Sequence, residues 1–294
     1  MINKILITGG KGFIGSHLVE PFSKINEVSV YDIKQDQNIL DFEKLRKFMR
    51  DIDYIFHAAA LVSVPESVQK PIETEEVNVK GTLNVLQAAV ESGVKKVIFF
   101  SSAAVYGELP ELPKRENMKL DPKSPYALSK ISGEHYMKLF AEEFGLDTVT
   151  LRCFNIYGQG QNPDSPYAAV VPIFIKRALE GKPLIIHGDG EQTRDFIYIK
   201  DVVKACELAL DKNFKGDVIN ISSNTQTSVK ELANKILQLT NSNSEIKFEK
   251  ERLGDVKHSY ASNELAREKL GWMPEYNLER GLKETINWFK SSKD

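Results

Sequence analysis

The first half of the chain alternates short apolar runs with amphipathic stretches. Residues 5–7, 28–30, 54–56, 97–100 and 149–151 read as strands, and several of these runs are continuously apolar, as in parallel strands covered on both faces. Helical spacing occupies 13–24, 41–50, 72–92 and 125–144 between them. This alternation predicts an α/β fold: a doubly wound parallel sheet with right-handed crossovers. Ser124 suits an N-cap, Pro125 the first helical position and Gly145 the stop.

Past residue 156 the pattern changes. Glycine and proline become frequent at Gly158, Gly160, Pro163, Pro166 and Pro172. Helical spacing returns at 168–180, 199–210, 228–239, 262–269 and 278–291, with short strands fitting 184–187, 194–198 and 217–221. We expect a first domain over 1–166 and a smaller mixed α/β domain over 167–294, with a segment near 189–222 returning to the first. Residues after Trp288 read as a frayed tail.

Composition narrows the function classes. Over 294 residues the net charge is −2, which argues against nucleic acid as the main partner. The longest apolar runs are strand-sized, too short to cross a bilayer, and Lys4–Thr8 runs straight into glycines without a secretory pattern. Cys153 and Cys206 lack metal-like spacing. Buried free thiols in a reducing cytoplasm are expected, and no metal site.

Thr8-Gly9-Gly10-Lys11-Gly12-Phe13-Ile14-Gly15 follows the first strand and opens the first helix. Glycines at 9, 12 and 15 permit a tight turn, let backbone amides reach a pyrophosphate and let the helix pack close. The helix N-terminus adds unpaired N–H groups and a positive dipole end. Gly9, Gly12, Phe13, Ile14 and Gly15 are therefore expected to bind a dinucleotide. Asp32 closes the second strand, where an acid accepts from ribose hydroxyls and repels a 2′-phosphate. No Arg follows it directly, so NAD is expected over NADP. Ala58, Ala59 and Ala60 are small enough for a flat cofactor to lie against the backbone, whereas His57 reads equally as a packed or a functional imidazole.

Tyr126 and Lys130 lie four apart on one helix face. An ammonium there favours the phenolate and can lower its pKa by roughly 1–3 units, which would let Tyr126 take an alcohol proton near neutral pH. Ser101 and Ser102 follow the fourth strand at the sheet's carboxyl end, where open α/β folds bind ligands, and a hydroxyl there can share a proton with Tyr126.

Gly9, Gly12, Gly15, Ser102, Tyr126 and Lys130 together resemble the extended short-chain dehydrogenase/reductase superfamily, from end to end of the chain. The resemblance is closest to its nucleotide-sugar 4-epimerases, acting on UDP-glucose/UDP-galactose or their N-acetyl forms. It implies a Rossmann-type first domain, tight NAD, a cytoplasmic homodimer and a UDP-hexose in the C-terminal domain. It implies Ser102 and Tyr126 as catalytic groups, with Lys130 lowering the tyrosine's pKa and holding the nicotinamide ribose. Asn78 and Ser101 join the implied cofactor contacts. Asn38 and Ile39 align where an acid and an aliphatic residue usually hold the adenine, in a loop much shorter than in long-chain members.

For the substrate, the resemblance implies Asn155 from Arg152-Cys-Phe-Asn155, Arg194 from the segment 190–198, and Arg252 with Asp255 from 251–255. That last motif carries Leu253 where proline is usual. Two guanidinium groups suit a diphosphate, since each forks two donors toward anionic oxygens. Ala103 and Ala104 stand where related dehydratases carry an acid pair and related decarboxylases a glutamate, which favours an epimerase. Ser259 aligns with the position beside sugar carbon 2, and its small side chain implies room for an N-acetyl group. A UDP-glucuronate 4-epimerase, a ketoreductase and an NAD-binding regulator are the competing expectations. Leu83–Val90 carries more apolar surface than one stripe requires, so helices 72–92 and 125–144 are expected to pair with their copies in a dimer.

Overall fold

A computed structural model describes residues 2–165, 168–251 and 256–291. Six strands form one parallel sheet: β1 (Lys4–Thr8), β2 (Glu27–Tyr31), β3 (Tyr54–His57), β4 (Lys96–Ser102), β5 (Asp147–Cys153) and β6 (Asp217–Ile221). Their order is β2-β1-β3-β4-β5-β6. The sheet is Rossmann-like, and the order reverses between β1 and β3, opening a crevice at the carboxyl ends of those strands. Pleating sends successive side chains to opposite faces. Ile5, Ile7 and Phe56 join one core cluster with Ile98 and Phe100, whereas Leu6, Ile55, Val97 and Phe99 join the other.

The helices follow the apolar spacing. Phe13–Ser23, Phe42–Phe48 and Pro125–Phe144 are close to expectation. Ser124 Oγ caps the last of these by accepting from Ala127 N–H at 3.1 Å, and Gly145 ends it with φ 67°. The stretch expected as a single helix over 72–92 is Pro71–Glu75 and Gly81–Glu91 joined by a wider π turn at Glu76–Lys80. A short helix at Val64–Gln69 was not anticipated, and Pro65 sits in its first turn.

The second half builds on the same sheet. Asp217–Ile221 pairs in parallel with β5. Helices Val170–Leu179, Ile199–Leu210, Val229–Thr240 and Leu278–Ser291 share a core with Ile5, Phe56 and Phe100. Leu184–His187 pairs with Ile246–Glu249, a strand the spacing had not suggested. The strand expected over 194–198 is two short ladders. Thr193–Arg194 pairs with Thr227–Ser228 and Ile197–Tyr198 with Ile156–Tyr157, while the Asp195 carboxylate between them collects donors from elsewhere. The tail expected after Trp288 stays helical to Ser291 because Phe289, 6% exposed, packs in the core.

Candidate active site

The glycine turn is built by close approach. Gly9 has φ +71°, and a Cβ there would stand 2.6 Å from the Ala59 backbone nitrogen. At Gly15 a Cβ would stand 2.3 Å from the Gly9 carbonyl oxygen. Only hydrogen fits at either place, so the turn lies against the chain leaving β3. Gly12 precedes the helix Phe13–Ser23, and no side chain caps that end. The first-turn N–H groups around Phe13 and Ile14 thus face the crevice mouth with a positive dipole end. Asp32, 5% exposed, closes β2 beside them. Its Oδ2 accepts from Lys11 N–H at 2.8 Å and its Oδ1 from Lys34 N–H at 2.9 Å, so it fixes the turn and keeps lone pairs for hydroxyl donors. This cradle fits a dinucleotide: an anion at the helix end, a ribose at Asp32, and half-buried Ala58, Ala59 and Ala60 as a flat wall.

Other expected cofactor residues hold the walls. Asn78 is buried, donates to the Leu61 carbonyl at 2.9 Å and to Ser129 Oγ at 3.0 Å, and accepts from Leu61 N–H at 2.8 Å. It ties the loop after β3 to the long helix. Ile39 sits in the core with 5% exposure, and exposed Asn38 accepts from Leu40 N–H within its own turn. His57 is a packed imidazole. Thr82 Oγ donates to the Asn78 carbonyl, so it accepts from His57 Nε2–H at 2.9 Å, and Thr8 Oγ donates to Nδ1 at 2.7 Å. Burial, with the Lys130 charge, pushes that imidazole down to about 3.

The reacting groups meet where β4 ends. Ser102 Oγ accepts from Ala104 N–H at 3.2 Å, capping the tight turn Ala103–Tyr106, and its hydroxyl stands near enough to Tyr126 to favour the ionised phenol. Tyr126 is 8% exposed, and its backbone N–H donates to Ser67 Oγ at 3.2 Å. Lys130 Nζ donates to the Phe100 carbonyl at 2.8 Å and lies 5.8 Å from the Tyr126 ring centroid. The long helix comes this close because Gly133 has no side chain: a Cβ there would stand 2.6 Å from the Phe99 ring.

The electrostatics differ from what the four-residue spacing suggested. Burial holds the Tyr126 phenol above its ordinary range, with the Ser102 hydroxyl working in the opposite direction. The ammonium is turned to the Phe100 carbonyl. Burial also lowers Lys130 to about 8, opposed by Cys153 and Glu134. Cys153 is the register partner of Ser102, and burial pushes its thiol up to about 12. Cys153 and Cys206 are both free and buried.

The expected substrate residues gather on segments beyond β5. Asn155 Nδ2 donates to the Asp195 carbonyl at 2.9 Å, pinning the segment that carries Arg194. Arg194 donates from Nη1 to the Thr193 carbonyl at 2.9 Å. Ser259 N–H donates to that same carbonyl at 3.1 Å, so Ser259 lies beside Arg194. Arg252 and Asp255 lie outside the described residues, as does the expected boundary at 166–167. Sequence reasoning missed Ser67, Glu134 and Asp195. Only Glu134 carried a signal, since it extends the four-residue spacing of Tyr126 and Lys130. Among the described residues no cluster suits a metal ion and no helix is long and apolar enough to cross a membrane.

The family model of the NAD dependent epimerase/dehydratase family matches residues 5–222. UDP-N-acetylglucosamine 4-epimerase from Methanobrevibacter ruminantium M1, solved with UDP-N-acetylmuramic acid, matches at TM-score 0.95 and 39% identity, over 99% of this chain and 100% of that one. UDP-glucose 4-epimerase from Thermotoga maritima, solved with UDP-glucose, matches at TM-score 0.95 and 37% identity, over 99% and 100%. UDP-N-acetyl-alpha-D-glucosaminuronate decarboxylase of Bacillus cytotoxicus is 37% identical over 99% of this chain and 98% of its own length.

Proposed function

The chain belongs to the NAD-dependent epimerase/dehydratase family, and from that premise we propose that it is a 4-epimerase of UDP-hexoses. We further propose that it accepts UDP-N-acetylhexosamines alongside UDP-glucose and UDP-galactose. Residues 1–166 then carry NAD and 167–294 the nucleotide sugar, with the segment near 189–222 returning to the first unit. Two buried free thiols suit a reducing compartment, and the cytoplasm is the location this reading implies.

The observation that carries the reading is the Ser102 hydroxyl beside the Tyr126 phenol, set directly before Ala103 and Ala104. A phenol and a hydroxyl can move one proton. Two methyl groups cannot assist elimination or loss of a carboxylate, which the related dehydratases and decarboxylases require. In this mechanism Tyr126 would act as the phenolate, favoured against burial by Ser102 and by the positive charge of bound NAD, taking the proton of the sugar 4-hydroxyl through Ser102 and later returning it. NAD, when bound, supplies reversible hydride acceptance at carbon 4. Arg194 and Arg252 hold the diphosphate while the sugar turns between the two halves of the reaction. Lys130 and Asp32 hold ribose hydroxyls, and the Gly9–Gly15 turn holds the pyrophosphate. Positioning of this kind lowers a barrier by about 7–11 kcal/mol, more than any phenol pKa shift supplies. Ser259, half-buried beside the Arg194 segment, supports room for an N-acetyl group.

Purified protein incubated with UDP-GlcNAc or UDP-Glc, without and then with NAD, is resolved by NMR. Appearance of the 4-epimers without net NADH is expected. No conversion of either sugar under both conditions ends the proposal. UDP-glucuronate is the discriminating control: loss of its carboxylate would assign the chain to decarboxylases instead.

We also infer a homodimer, through the same two helical stretches the sequence suggested but not through Leu83–Val90. Val85, Leu86, Ala88 and Ala89 are buried in this chain's own core under helices Phe42–Phe48 and Pro125–Phe144. Exposed Ile72 and Leu128 line a cavity of about 520 Å³ together with Pro71, Pro122 and Pro125, and Val68 is exposed on the preceding helix. A second copy would cover it.

A further inference from the structure

Behind the reacting groups lies an ion pair that the chemistry above does not use. Glu134 and Arg152 are 5% and 4% exposed. Arg152 Nε donates to Glu134 Oε1 at 2.8 Å and Nη2 to Oε2 at 2.6 Å, a two-pronged contact between the long helix and β5. Each partner has a second grip. Ser101 Oγ donates to Glu134 Oε1 at 2.5 Å, and Ser101 is the register partner of Arg152. Arg152 Nη1 donates to the Tyr106 hydroxyl at 2.9 Å, and that hydroxyl donates to Asn220 Oδ1 at 2.8 Å.

These contacts bracket Ser102. Ser101 precedes it, and Tyr106 ends the turn that Ser102 caps. Glu134 in turn stands one helical turn past Lys130 and two past Tyr126 on the same helix. The pair therefore joins the element carrying the phenol to both flanks of the element carrying the hydroxyl. Fully buried ion pairs add little net stability over apolar packing, so stability alone is a weak reason for one here. Its fork geometry is directional in a way apolar contact is not.

Resting on the epimerase reading, we propose that Glu134 and Arg152 are positioning residues that set the register of Tyr126 and Lys130 against Ser102. They touch neither sugar nor coenzyme and act through the groups they hold. A second consequence is electrostatic. The charged or titratable groups facing Lys130 are Tyr126 and Glu134 on its own helix, Cys153 on β5 and His57 at the end of β3, with Arg152 behind Glu134. Glu134 is the one carboxylate among them, and it favours the ammonium.

The test compares Glu134→Gln, Arg152→Lys and the paired Glu134→Gln/Arg152→Met with wild type, each rate normalised to bound NAD so that misfolded protein is not counted. Each variant is expected to lose about 100-fold in kcat with KM for the UDP-sugar within about threefold, since a misplacement near 1 Å costs that much. In Glu134→Gln the alkaline limb of kcat moves down by about one pH unit, because the lysine loses its nearby opposite charge. In Arg152→Lys, which keeps the carboxylate and a cation but not the fork, that limb stays. Variants that keep wild-type kcat per bound NAD, or a Glu134→Gln limb that does not move, overturn the proposal. The titration of Lys130 followed by NMR of its side chain needs no turnover. If wild type converts no UDP-hexose, the epimerase reading fails alone, and the pair is still judged by whether Lys130 titrates lower in Glu134→Gln.

Discussion

Asp195 Oδ1 accepts two hydrogen bonds from Ser223, one from the backbone N–H and one from the hydroxyl, each at 2.7 Å. Its Oδ2 accepts from Asn224 N–H at 3.1 Å and Ala261 N–H at 3.3 Å. The carboxyl is fully buried, and all four donors are neutral. Burial pushes it up to about 6 while those donors pull it back. One side chain thus knots together the segment carrying Arg194, the chain leaving β6, and the segment two residues past Ser259.

Asp195→Asn replaces an acceptor-only group with one that must aim an NH₂ at other donors. An N–H left unpaired in the interior costs about 1–3 kcal/mol, and the segments it held are those proposed to bind the nucleotide sugar. KM for UDP-glucose should rise about tenfold or more, equivalent to about 1.4 kcal/mol, with kcat much less affected. Steady-state kinetics together with calorimetric binding of UDP-glucose check this. An unchanged affinity would detach Asp195 from the sugar site.

Tyr126→Phe removes the proton carrier and leaves the ring. The loss in kcat should be about 10²–10⁴-fold, the usual worth of a positioned acid–base group. Ser102→Ala breaks the hydroxyl bridge and the cap on Ala103–Tyr106, so it should slow turnover by a smaller factor at nearly unchanged KM. Binding of UDP-glucose by calorimetry should persist in both. If Tyr126→Phe turns over at the wild-type rate, the phenol is not the proton carrier.

How much of this was legible depends on the kind of constraint. Gly9, Gly15 and the Tyr126–Lys130 spacing were readable because each is a local demand, a turn without Cβ or two residues on one helix face. The five strands of the first half were readable because parallel strands buried on both faces are written as apolar runs. Glu134, Arg152 and Asp195 were not readable as buried groups, because a charged residue gives no local sign that tertiary neighbours will satisfy it. Leu83–Val90 misled for the opposite reason. Its apolar width looked like surplus, yet two helices distant in sequence cover it. The expected strand over 194–198 missed the break at Asp195, which donors far along the chain impose.

His57 makes a pH-dependent contribution whose sign is fixed. Its folded pKa is depressed from 6.5 to about 3, so the group contributes stability that is present above pH 6.5 and lost as pH falls toward 3. From pH 7 to pH 5 that loss is about 2 kcal/mol. Asp195 and Asp201 act in the opposite direction, since each is raised from 3.8 to about 6 and protonation favours the fold. Wild type alone therefore mixes both signs. The difference between wild type and His57→Gln isolates the imidazole: by urea unfolding, it should narrow by about 2 kcal/mol from pH 7 to pH 5. A pH-independent difference would mean that His57 protonates within the folded chain.

Leu128→Glu tests how the exposed apolar surface is covered. Leu128 is 53% exposed on the long helix, and Ile72, which lines the same cavity, is 76% exposed. Tyr126, only two residues earlier in that helix, is buried in the active site, so one helix serves both places. A carboxylate introduced at Leu128 stays solvated in a monomer at almost no cost. In a dimer interface it would be desolvated without a partner, and an uncompensated buried charge costs several kcal/mol. Sedimentation at micromolar concentration should show a wild-type dimer and a Leu128→Glu monomer of unchanged thermal stability. A wild-type monomer would leave this surface without the occupant proposed here. A variant that stays dimeric would put the interface elsewhere. If the variant is monomeric and also slow, the copy's support of the long helix reaches the phenol, whereas a fast monomer confines the interface to assembly.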